Sequence, residues 1–240
     1  MRLSIIVPAY NEEKFISACL EHIRADVHRC AEDSVEVLVI DNASTDNTAK
    51  IAASFPGVRV VHEDRKGLTR ARQAALVSAQ GEILAFVDAD TRMPPGWIRR
   101  VLDFYASDPR LVCISGPYRY YDAPALNRMF VGLYWTLLAV PTYWITRYMA
   151  VGGNFAAKKT ALMEIGGFDT DIEFYGEDTN IARRLSKAGK VRFSMRLHMP
   201  TSFRRLHAEG LWRTALKYVA NFLSEVVLKR PVTRSYRDIR

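Results

Sequence analysis

Apolar and polar positions follow a regular order of strands and helices through the first half of the chain. Short apolar runs rich in β-branched residues predict strands, and apolar residues at three- and four-residue intervals predict the helices between them. The predicted strands cover residues 3–7, 35–40, 58–61 and 83–87, and the predicted helices cover residues 12–24, 46–55 and 68–79. Strands that alternate with helices in this way form an α/β fold with a parallel sheet covered on both faces.

The second half of the chain continues this pattern less regularly. We predict strands at 111–115 and 154–157 and helices at 159–165 and 178–188. Residues 122–149, which lie between the two strands, are rich in aromatic side chains. We find no internal repeat and no low-complexity linker, which favours one compact domain.

Polar clusters follow three of the predicted strands. They are PAYNEE after the first strand, DNASTDNT after the second and DADT after the fourth. Ligands bind beyond the carboxyl ends of the strands in sheets of this kind, so we expect the three clusters to line one crevice. One cluster alone would be a weak signal, because Asp and Asn are also ordinary turn residues.

The carboxylates of Asp88 and Asp90 lie on the same side of an extended backbone, because side chains alternate with a period of two. Two negative charges at one strand end repel each other unless a cation lies beside them. Hard oxygen ligands suit Mg²⁺ or Mn²⁺, and Mg²⁺ is usually held by one or two carboxylates together with substrate phosphates. The alternative is an Asx-type turn that leads into the bend at Pro94 and Pro95.

Charge is distributed unevenly along the 240 residues. The net charge is +8, yet residues 190–240 alone hold 12 Lys and Arg against 3 Asp and Glu. The body of the chain is therefore close to neutral and its last fifth is basic. A basic end favours an anionic partner, which could be phosphate, nucleic acid or a membrane, and the alternative is a solvated surface that aids solubility.

Two further features bear on the compartment of the protein. The apolar run before Pro8 and Asn11 is too short for a cleavable signal. The three cysteines show no CxxC spacing, so we predict neither a disulfide framework nor a zinc site. Both features favour a reducing cytoplasm.

Five motifs together resemble glycosyltransferase family 2, the inverting enzymes with a GT-A fold that use nucleotide-sugar donors. They are IIVPAYNEE, VIDNASTDNT, GLTRARQAALVSAQGEILAFVDADT, GGNFAAKKTALMEIGGFDT and GEDTNIARRL, in the order of the family. The resemblance spans residues 3 to 189. It implies a Rossmann-like GT-A fold, with a mostly parallel central sheet flanked by helices.

The resemblance also implies roles for residues on the donor side. Contacts to the nucleotide base and ribose are implied at Pro8, Tyr10, Glu12 and Asp41. Arg72 resembles the basic residue that faces the nucleotide, and Asp88 resembles the aspartate on the ribose or phosphate side. Asp90 resembles the metal ligand beneath the diphosphate, which implies Mg²⁺ or Mn²⁺ as the cofactor.

Asp178, in the GED motif, resembles the catalytic base of the family, and Glu177 lies beside it. A base within hydrogen-bond reach of the acceptor hydroxyl, without a second nucleophilic carboxylate, suits direct displacement with inversion. The alternative for both acids is helix capping, because acidic residues are favoured in the first turn of a helix. Capping and catalysis are compatible at the same positions.

Four more residues are candidates for the donor or acceptor side. Gly153 and Asn154 follow Gly152 in a segment where the missing Cβ suggests close approach to a ligand, and a plain turn is the alternative. Arg204 and Arg205 could clamp a diphosphate through their planar donors, although arginine pairs on helices are more often solvated.

The sequence departs from the family pattern at three places. Gln73 follows Arg72 where Asn is frequent. Asn42 and Ala43 stand where an Asp-Gly or Asn-Gly pair is common, which leaves the geometry of that turn open. The Gln-x-x-Arg-Trp motif of processive polymerases is absent, and TSFRRLHAEG stands near its expected place. We therefore expect a non-processive enzyme.

The resemblance implies a division of the chain into a glycosyltransferase domain and a C-terminal unit. The domain covers residues 1–206, with a nucleotide-binding half at 1–116 and an acceptor-side half at 117–206. Residues 207–240 form the C-terminal unit, in which we predict an amphipathic helix at 210–228 followed by a basic tail.

Residues 129–146 contain no charge and lie between Arg128 and Arg147. At about 1.5 Å per residue they reach about 27 Å, short of the ~30 Å hydrocarbon core of a bilayer, and Pro141 interrupts them. We therefore reject a membrane span. We favour a buried or dimer-forming helix, and the alternative is an interfacial helix that faces a lipid-linked acceptor.

The leading hypothesis is an enzyme that transfers a sugar from a nucleoside-diphosphate sugar to a hydroxyl acceptor, lipid-linked or glycan. Such an enzyme would belong to the synthesis of cell-envelope polysaccharide, in the cytoplasm or on the inner face of the membrane. The alternatives are a sugar-nucleotide nucleotidyltransferase and a non-enzymatic basic protein that binds nucleic acid or lipid. We expect no nucleic-acid partner, because that alternative leaves the four aspartates of the motifs unexplained.

Overall fold

The computed structural model describes residues 2–30, 35–172, 176–210 and 224. The strands are β1 (Leu3–Ala9), β2 (Val35–Asp41), β3 (Val58–His62), β4 (Ile83–Val87), β5 (Leu111–Ser115), β6 (Tyr118–Tyr120), β7 (Asn154–Lys158), β8 (Lys190–Phe193) and β9 (Met199–Thr201). The helices are α1 (Ile16–Cys30), α2 (Thr48–Ala53), α3 (Leu68–Ser78), α4 (Trp97–Ser107), α5 (Ala125–Tyr134), α6 (Val140–Thr146), α7 (Lys159–Glu164), α8 (Glu177–Ala188) and α9 (Arg204–Glu209). A π-helical turn, Trp135–Ala139, joins α5 to α6.

Seven strands form the central sheet in the order β3-β2-β1-β4-β7-β5-β8. Strand β7 runs antiparallel to both of its neighbours, and the other neighbouring pairs are parallel. The predicted α/β fold with a mostly parallel sheet is confirmed. The order β3-β2-β1-β4 places the end of β1 between the ends of β2 and β4, where the sequence has its three polar clusters.

Alternation along the strands explains why helices cover both faces of the sheet. In β1, Leu3, Ile5 and Val7 belong to one buried cluster, and Ile6 belongs to the opposite one. The first cluster includes apolar residues of α1, α2 and α4, and the second includes those of α3, α7 and α8. A strand buried on both sides reads as a continuous apolar run, as β4 does.

The carboxyl ends of the parallel strands meet at one edge of the sheet. Asp41 is the last residue of β2, and Asp88 follows the last residue of β4. Strand β7 enters this edge from the opposite direction, so its first residue Asn154 pairs with Val87 beside the β4 end. The turn before β7 thereby reaches Asp88, beyond the end of β4.

A small two-stranded sheet closes the same edge. Strands β6 and β9 pair in parallel, with Tyr118 opposite Met199 and Tyr120 opposite Thr201. Thr91, one residue after Asp90, forms an isolated bridge with Thr201. The DADT segment is therefore tied to a part of the chain more than one hundred residues away.

Several elements were missed in the sequence. They are α4, β6, β8, β9 and α9. Helix α4 buries Trp97, Ile98, Val101, Leu102 and Tyr105, a helical spacing that is visible in the sequence. The short strands carry no such signal, because three or four residues are too few for a period to be read.

The prediction of a buried helix over 129–146 is wrong. The helical run Ala125–Thr146 is long and apolar enough to cross a membrane by length and composition, yet 6% of its most apolar window is buried. Within this run, Ala139 is the one buried residue. Apolar composition resembles that of a core helix, but within the described residues no second layer buries this one.

The predicted C-terminal amphipathic helix at 210–228 and the basic tail lie outside the described residues, apart from Gly210 and Ser224. The described part of the C-terminal unit is the end of α9, which begins at Arg204.

Candidate active site

Asp88 is held at the β4 end by a tyrosine and a glycine. The Tyr118 hydroxyl donates to Oδ2 of Asp88 at 2.6 Å and accepts the backbone N–H of Gly153 at 2.8 Å. Burial, followed by the charge of Asp88, raises the pKa of Tyr118 well above its usual value, so the phenol stays protonated as a donor. A Cβ at Gly153 would overlap the Asp88 carboxyl and the Tyr118 hydroxyl. The close approach expected of Gly153 is therefore to protein side chains.

Asp90 belongs to a second polar group, centred on Arg204. The Nε of Arg204 donates to Oδ2 of Asp90 at 2.8 Å, and its Nη2 donates to Oε1 of Glu12 at 2.6 Å. The Thr201 hydroxyl donates to Oδ1 of Asp90 at 3.3 Å. The guanidinium also lies over the Phe15 ring, 4.3 Å from its centre. Arg204 therefore joins the PAYNEE and DADT motifs by contacting one acid from each.

The residues predicted to contact the nucleotide base and ribose line the other side of this edge. Asp41 is buried, and its Oδ2 lies 3.0 Å from Nδ1 of His62. Its Oδ1 has no hydrogen-bond partner within the described residues. The ring of Tyr10 lies under Nζ of Lys66 at 3.9 Å from its centre. Pro8 lies inside β1, because the strand continues to Ala9, two residues beyond its predicted end.

Asn42 fixes the turn that follows β2. Its side-chain Nδ2 donates to the carbonyls of Glu63 and Arg65, at 3.1 and 2.8 Å, and its Oδ1 accepts the N–H of Gly67 at 2.7 Å. Ala43 adopts a left-handed conformation with φ 61°. The turn thus keeps the geometry that glycine favours, although an alanine occupies it.

Arg72, which is predicted to face the nucleotide, has two partners within the protein. Its side chain is 1% exposed. Nη1 donates to Oε1 of Glu177 at 3.0 Å, and Nη2 donates to the carbonyl of Gly152 at 2.8 Å. Arg72 therefore ties α3 to the GED motif and to the turn before β7. A Cβ at Gly152 would lie 2.7 Å from Glu177 Oε1 and 2.8 Å from Arg72 Nη2.

Asp178 lies in the first turn of α8, after Gly176. Burial raises its pKa to about 7, the charge of Glu177 acts in the same direction, and Thr179 and Arg72 oppose the shift. The Thr179 N–H donates to Oδ1 of Asp178 at 2.7 Å. A carboxyl whose pKa lies near neutrality is suited to accept a proton at physiological pH.

Two of the four candidates for the donor or acceptor side have mainly structural contacts. Asn154 is fully buried, accepts from Trp97 Nε1 at 3.1 Å and donates to the carbonyls of Gly116 and Leu197 at 2.9 and 2.7 Å. Arg205 lies 3.6 Å from Oε1 of Glu209. Gly153 and Arg204, in contrast, contact Asp88 and Asp90.

The residues at this edge fit a divalent cation held with the help of a ligand. Burial raises the pKa of Asp90, the charge of Asp88 acts in the same direction, and the ion pair with Arg204 opposes the shift. Within the described residues, no three His, Cys, Asp or Glu side chains are grouped closely enough to hold a metal by themselves. One or two carboxylates with substrate phosphates are the usual Mg²⁺ environment.

Three residues of the site were missed in the sequence. Tyr118, Thr201 and His62 contact the predicted aspartates but stand outside the motifs. His62 could have been found, because it ends β3 next to the end of β2. Tyr118 and Thr201 belong to strands of three residues whose pairing no sequence pattern predicts.

A mostly parallel sheet with carboxylates gathered beyond its strand ends is the architecture of GT-A glycosyltransferases. Residues 4–166 match Glycosyl transferase family 2. The chain belongs to this family. Among curated proteins it is similar to glycosyltransferase GlyG of Streptococcus pneumoniae, with 29% identity over 123 residues. That match covers 49% of this chain and 40% of GlyG.

Solved structures agree with this fold. The mannosyltransferase PcManGT from Pyrobaculum calidifontis, in complex with GDP-Man and Mn²⁺, has a TM-score of 0.72 at 23% identity, over 95% of this chain and 64% of that one. The glucosyl-3-phosphoglycerate synthase of Mycobacterium tuberculosis, with Mn²⁺ and UDP-Glc, has a TM-score of 0.61 at 21% identity, over 93% of this chain and 79% of that one.

Proposed function

We propose that the protein transfers a sugar from a nucleoside-diphosphate sugar to an acceptor hydroxyl, with inversion, with help from Mg²⁺ or Mn²⁺ and without processivity. The solved neighbours crystallised with GDP-Man or UDP-Glc and Mn²⁺ support a donor and metal of this class. The acceptor hydroxyl belongs to a glycan or a lipid-linked molecule, and the enzyme works at the inner face of a membrane.

On the donor side, Asp41 and Tyr10 bind the nucleoside, and Asp90 with Asp88 holds the cation. The buried Oδ1 of Asp41, which has no partner in the described part of the chain, is suited to accept a ribose hydroxyl. A bound Mg²⁺ or Mn²⁺ would offset the negative charge that develops on the leaving diphosphate. Arg204 supplies a second positive charge at the same place, within reach of Asp90 and Glu12.

On the acceptor side, Asp178 accepts the proton of the attacking hydroxyl. Glu177 is paired with Arg72 at 3.0 Å and therefore positions the first turn of α8. Because one base serves the acceptor and the leaving diphosphate departs from the opposite face of the sugar, the substitution inverts the anomeric carbon.

The observation that carries this proposal is a continuous chain of contacts between the two sides. Asp88 bonds Tyr118, and Tyr118 bonds Gly153. The adjacent Gly152 carbonyl accepts from Arg72, which pairs with Glu177, the neighbour of Asp178. The carboxylates for the donor and the base for the acceptor are thus fixed to one another. Helix capping explains the position of Asp178 alone and does not explain this series of contacts.

Thermal unfolding with UDP, GDP and dTDP, each with and without Mn²⁺, tests the donor and metal assignments. We expect one nucleotide to raise the midpoint only when Mn²⁺ is present, because a ligand of the native state stabilises it. Asp90→Asn should lose the shift. The matched control Asp103→Asn, at an exposed ion pair with Arg99, should keep it. Equal shifts in the wild type and in Asp90→Asn would contradict the proposal.

The nucleotidyltransferase alternative makes a different prediction in the same assay. Such an enzyme would bind a nucleoside triphosphate and a sugar phosphate, and the GED motif would have no role. Stabilisation by UTP or GTP that exceeds that by the diphosphates, together with pyrophosphate release, would favour that alternative. The family match and the position of Asp178 favour glycosyl transfer.

A further inference from the structure

The helical run Ala125–Thr146, which we call the surface helix, exposes a continuous apolar stripe. The stripe consists of Leu126, Met129, Phe130, Leu133, Leu137, Leu138, Trp144 and Ile145, each between 39% and 83% exposed. These residues recur at intervals of three, four and seven along the sequence, so they share one side of the helix. Large contiguous apolar surfaces of this kind mark interaction sites.

The opposite side of the surface helix is attached to the body of the protein. The ring of Trp135 stacks on Phe193 with 5.7 Å between ring centres, and the Tyr143 hydroxyl donates to the carbonyl of Val191 at 3.4 Å. Phe193 and Val191 belong to β8, the edge strand of the central sheet. A helix anchored along a sheet edge presents one face outward, which suits lying on a surface and opposes crossing a bilayer.

The charges around the stripe identify the partner. Between Asp122 and Glu164 the sequence contains no acidic residue, and its charges are Arg128, Arg147, Lys158 and Lys159. Arg128 and Arg147 stand at the two ends of the stripe and are exposed. Two copies packed through the stripe, in either direction, would bring these arginines together, and residues 123–163 supply no acid to offset them. A surface of apolar chains and negative headgroups complements both features.

We propose that the surface helix docks the protein on a lipid bilayer that contains anionic lipid, with the stripe in the headgroup region. Tyr134 and Trp144 then lie at the depth where amphipathic aromatic rings are favoured. The bilayer supplies negative charge to Arg128 and Arg147 and an apolar environment to the stripe.

Docking has a consequence for the acceptor, and this consequence rests on the proposed function. Tyr134 of the surface helix precedes Trp135, which stacks on Phe193 at the carboxyl end of β8. Helix α8 leads through Gly189 into the start of β8, so its first turn, with Asp178, lies toward that same end of the strand. In agreement, burial and then the charge of Asp178 raise the pKa of Tyr134. The base would therefore stand close to the bilayer surface. An acceptor hydroxyl carried on a lipid anchor reaches that position without leaving the membrane.

Vesicle co-sedimentation of the full chain tests the docking surface. We compare phosphatidylcholine vesicles with vesicles that also contain phosphatidylglycerol, using the wild type and the double variant Leu137→Glu, Ile145→Glu. The matched control, Val77→Glu with Met163→Glu, adds two acids at equally exposed apolar positions on α3 and α7. We expect the wild type and control to bind the anionic vesicles, less at high salt, and the stripe variant to bind at least about tenfold more weakly.

Three results would overturn the proposal. One is that the wild type fails to bind anionic vesicles. Another is that the stripe variant binds as well as the control, which would assign binding to the basic C-terminal residues. The third is a lipid-free dimer that the stripe variant dissociates, which would make the stripe a self-association surface. The nucleotide-dependent thermal shift, measured in the same variants, verifies their fold and tests the proposed function separately.

Discussion

Arg204 and Asp90 form an ion pair in which Nε of the arginine lies 2.8 Å from Oδ2 of the carboxylate, across 114 residues of sequence. The acid expected to hold the metal therefore already has a positive partner. Glu12 shares that partner at 2.6 Å. One guanidinium thus offsets the negative charge of acids from two motifs. It lies beside Asp90, the residue proposed to bind the cation.

Replacement of Arg204 with Met tests this relationship. Without the guanidinium, Asp90, Glu12 and Asp88 repel one another, so we expect the free energy of unfolding to fall by about 1–3 kcal/mol in metal-free buffer. Mn²⁺ should stabilise the variant more than the wild type, because the ion restores the missing charge. Urea denaturation with and without Mn²⁺ measures both effects. Arg196→Met, at an exposed site, is the control, and equal Mn²⁺ effects in wild type and Arg204→Met would contradict the account.

The buried pair of Arg72 and Glu177 gives a second prediction. Arg72→Met leaves the Glu177 carboxylate buried without its cation, which should lower the free energy of unfolding by about 3–5 kcal/mol. The double variant Arg72→Met, Glu177→Met should recover most of this loss, because no charge is then stranded. Urea denaturation of the two single variants and the double variant measures the coupling. Strictly additive losses would show that the two side chains do not depend on each other.

Replacement of Ala43 is expected to raise the free energy of unfolding, unlike the substitutions of Arg204 and Arg72. Its φ of 61° is unfavourable for an L-residue by about 1–2 kcal/mol, and glycine relieves this at the expense of greater freedom in the unfolded chain. We expect Ala43→Gly to raise the free energy of unfolding by about 0.5–1 kcal/mol. Ala18→Gly, inside α1, should lower it by about 1 kcal/mol. Thermal unfolding compares the two, and destabilisation by both substitutions would show that the turn does not require a left-handed residue.

Gly153 and Gly132 form a matched pair of glycine sites. A Cβ at Gly153 would overlap Asp88 and Tyr118, whereas a Cβ at Gly132 would meet nothing within 4 Å. We expect Gly153→Ala to displace Asp88 and to abolish the thermal shift by nucleotide with Mn²⁺. Gly132→Ala should keep the shift and stabilise the helix by about 0.5–1 kcal/mol. Retention of the shift in Gly153→Ala would show that Asp88 has room to move.

The sequence predicted the sheet well because strand ends carry a local signal. Asp41, Asp88 and Asp90 each follow an apolar run, and parallel pairing then brings them to one edge. The contacts of Arg72 could not be predicted from the sequence, because the same motif is compatible with an arginine that faces a ligand and with one that pairs with a buried acid. The contact of Arg204 with Glu12 joins residues 192 positions apart, beyond the reach of any periodicity.

The surface helix shows a different limit of sequence reasoning. Its uncharged residues between Arg128 and Arg147 have the composition of a core helix, and burial was the natural expectation. An apolar composition indicates that a segment is buried from water, but it does not indicate which surface buries it. Trp135 packs on Phe193, and the apolar residues on the other side of the helix are exposed in the part of the chain that the structure describes.

The most direct test of the central claim is the pH dependence of nucleotide release from the donor sugar, for the wild type and Asp178→Asn. The base is active when ionised, so the rate should rise as the pH passes upward through about 7 and then level off. Asp178→Asn should lower the rate by about 10²–10⁴-fold and remove this rise. The pKa of Asp178 is higher in the folded protein than in the unfolded chain, so its ionisation lowers the free energy of unfolding as the pH rises toward about 7. Above that pH, Asp178→Asn should therefore be at least as stable as the wild type. A wild-type rate that does not change between about pH 6 and pH 8, or an Asp178→Asn variant of unchanged rate, would contradict the assignment.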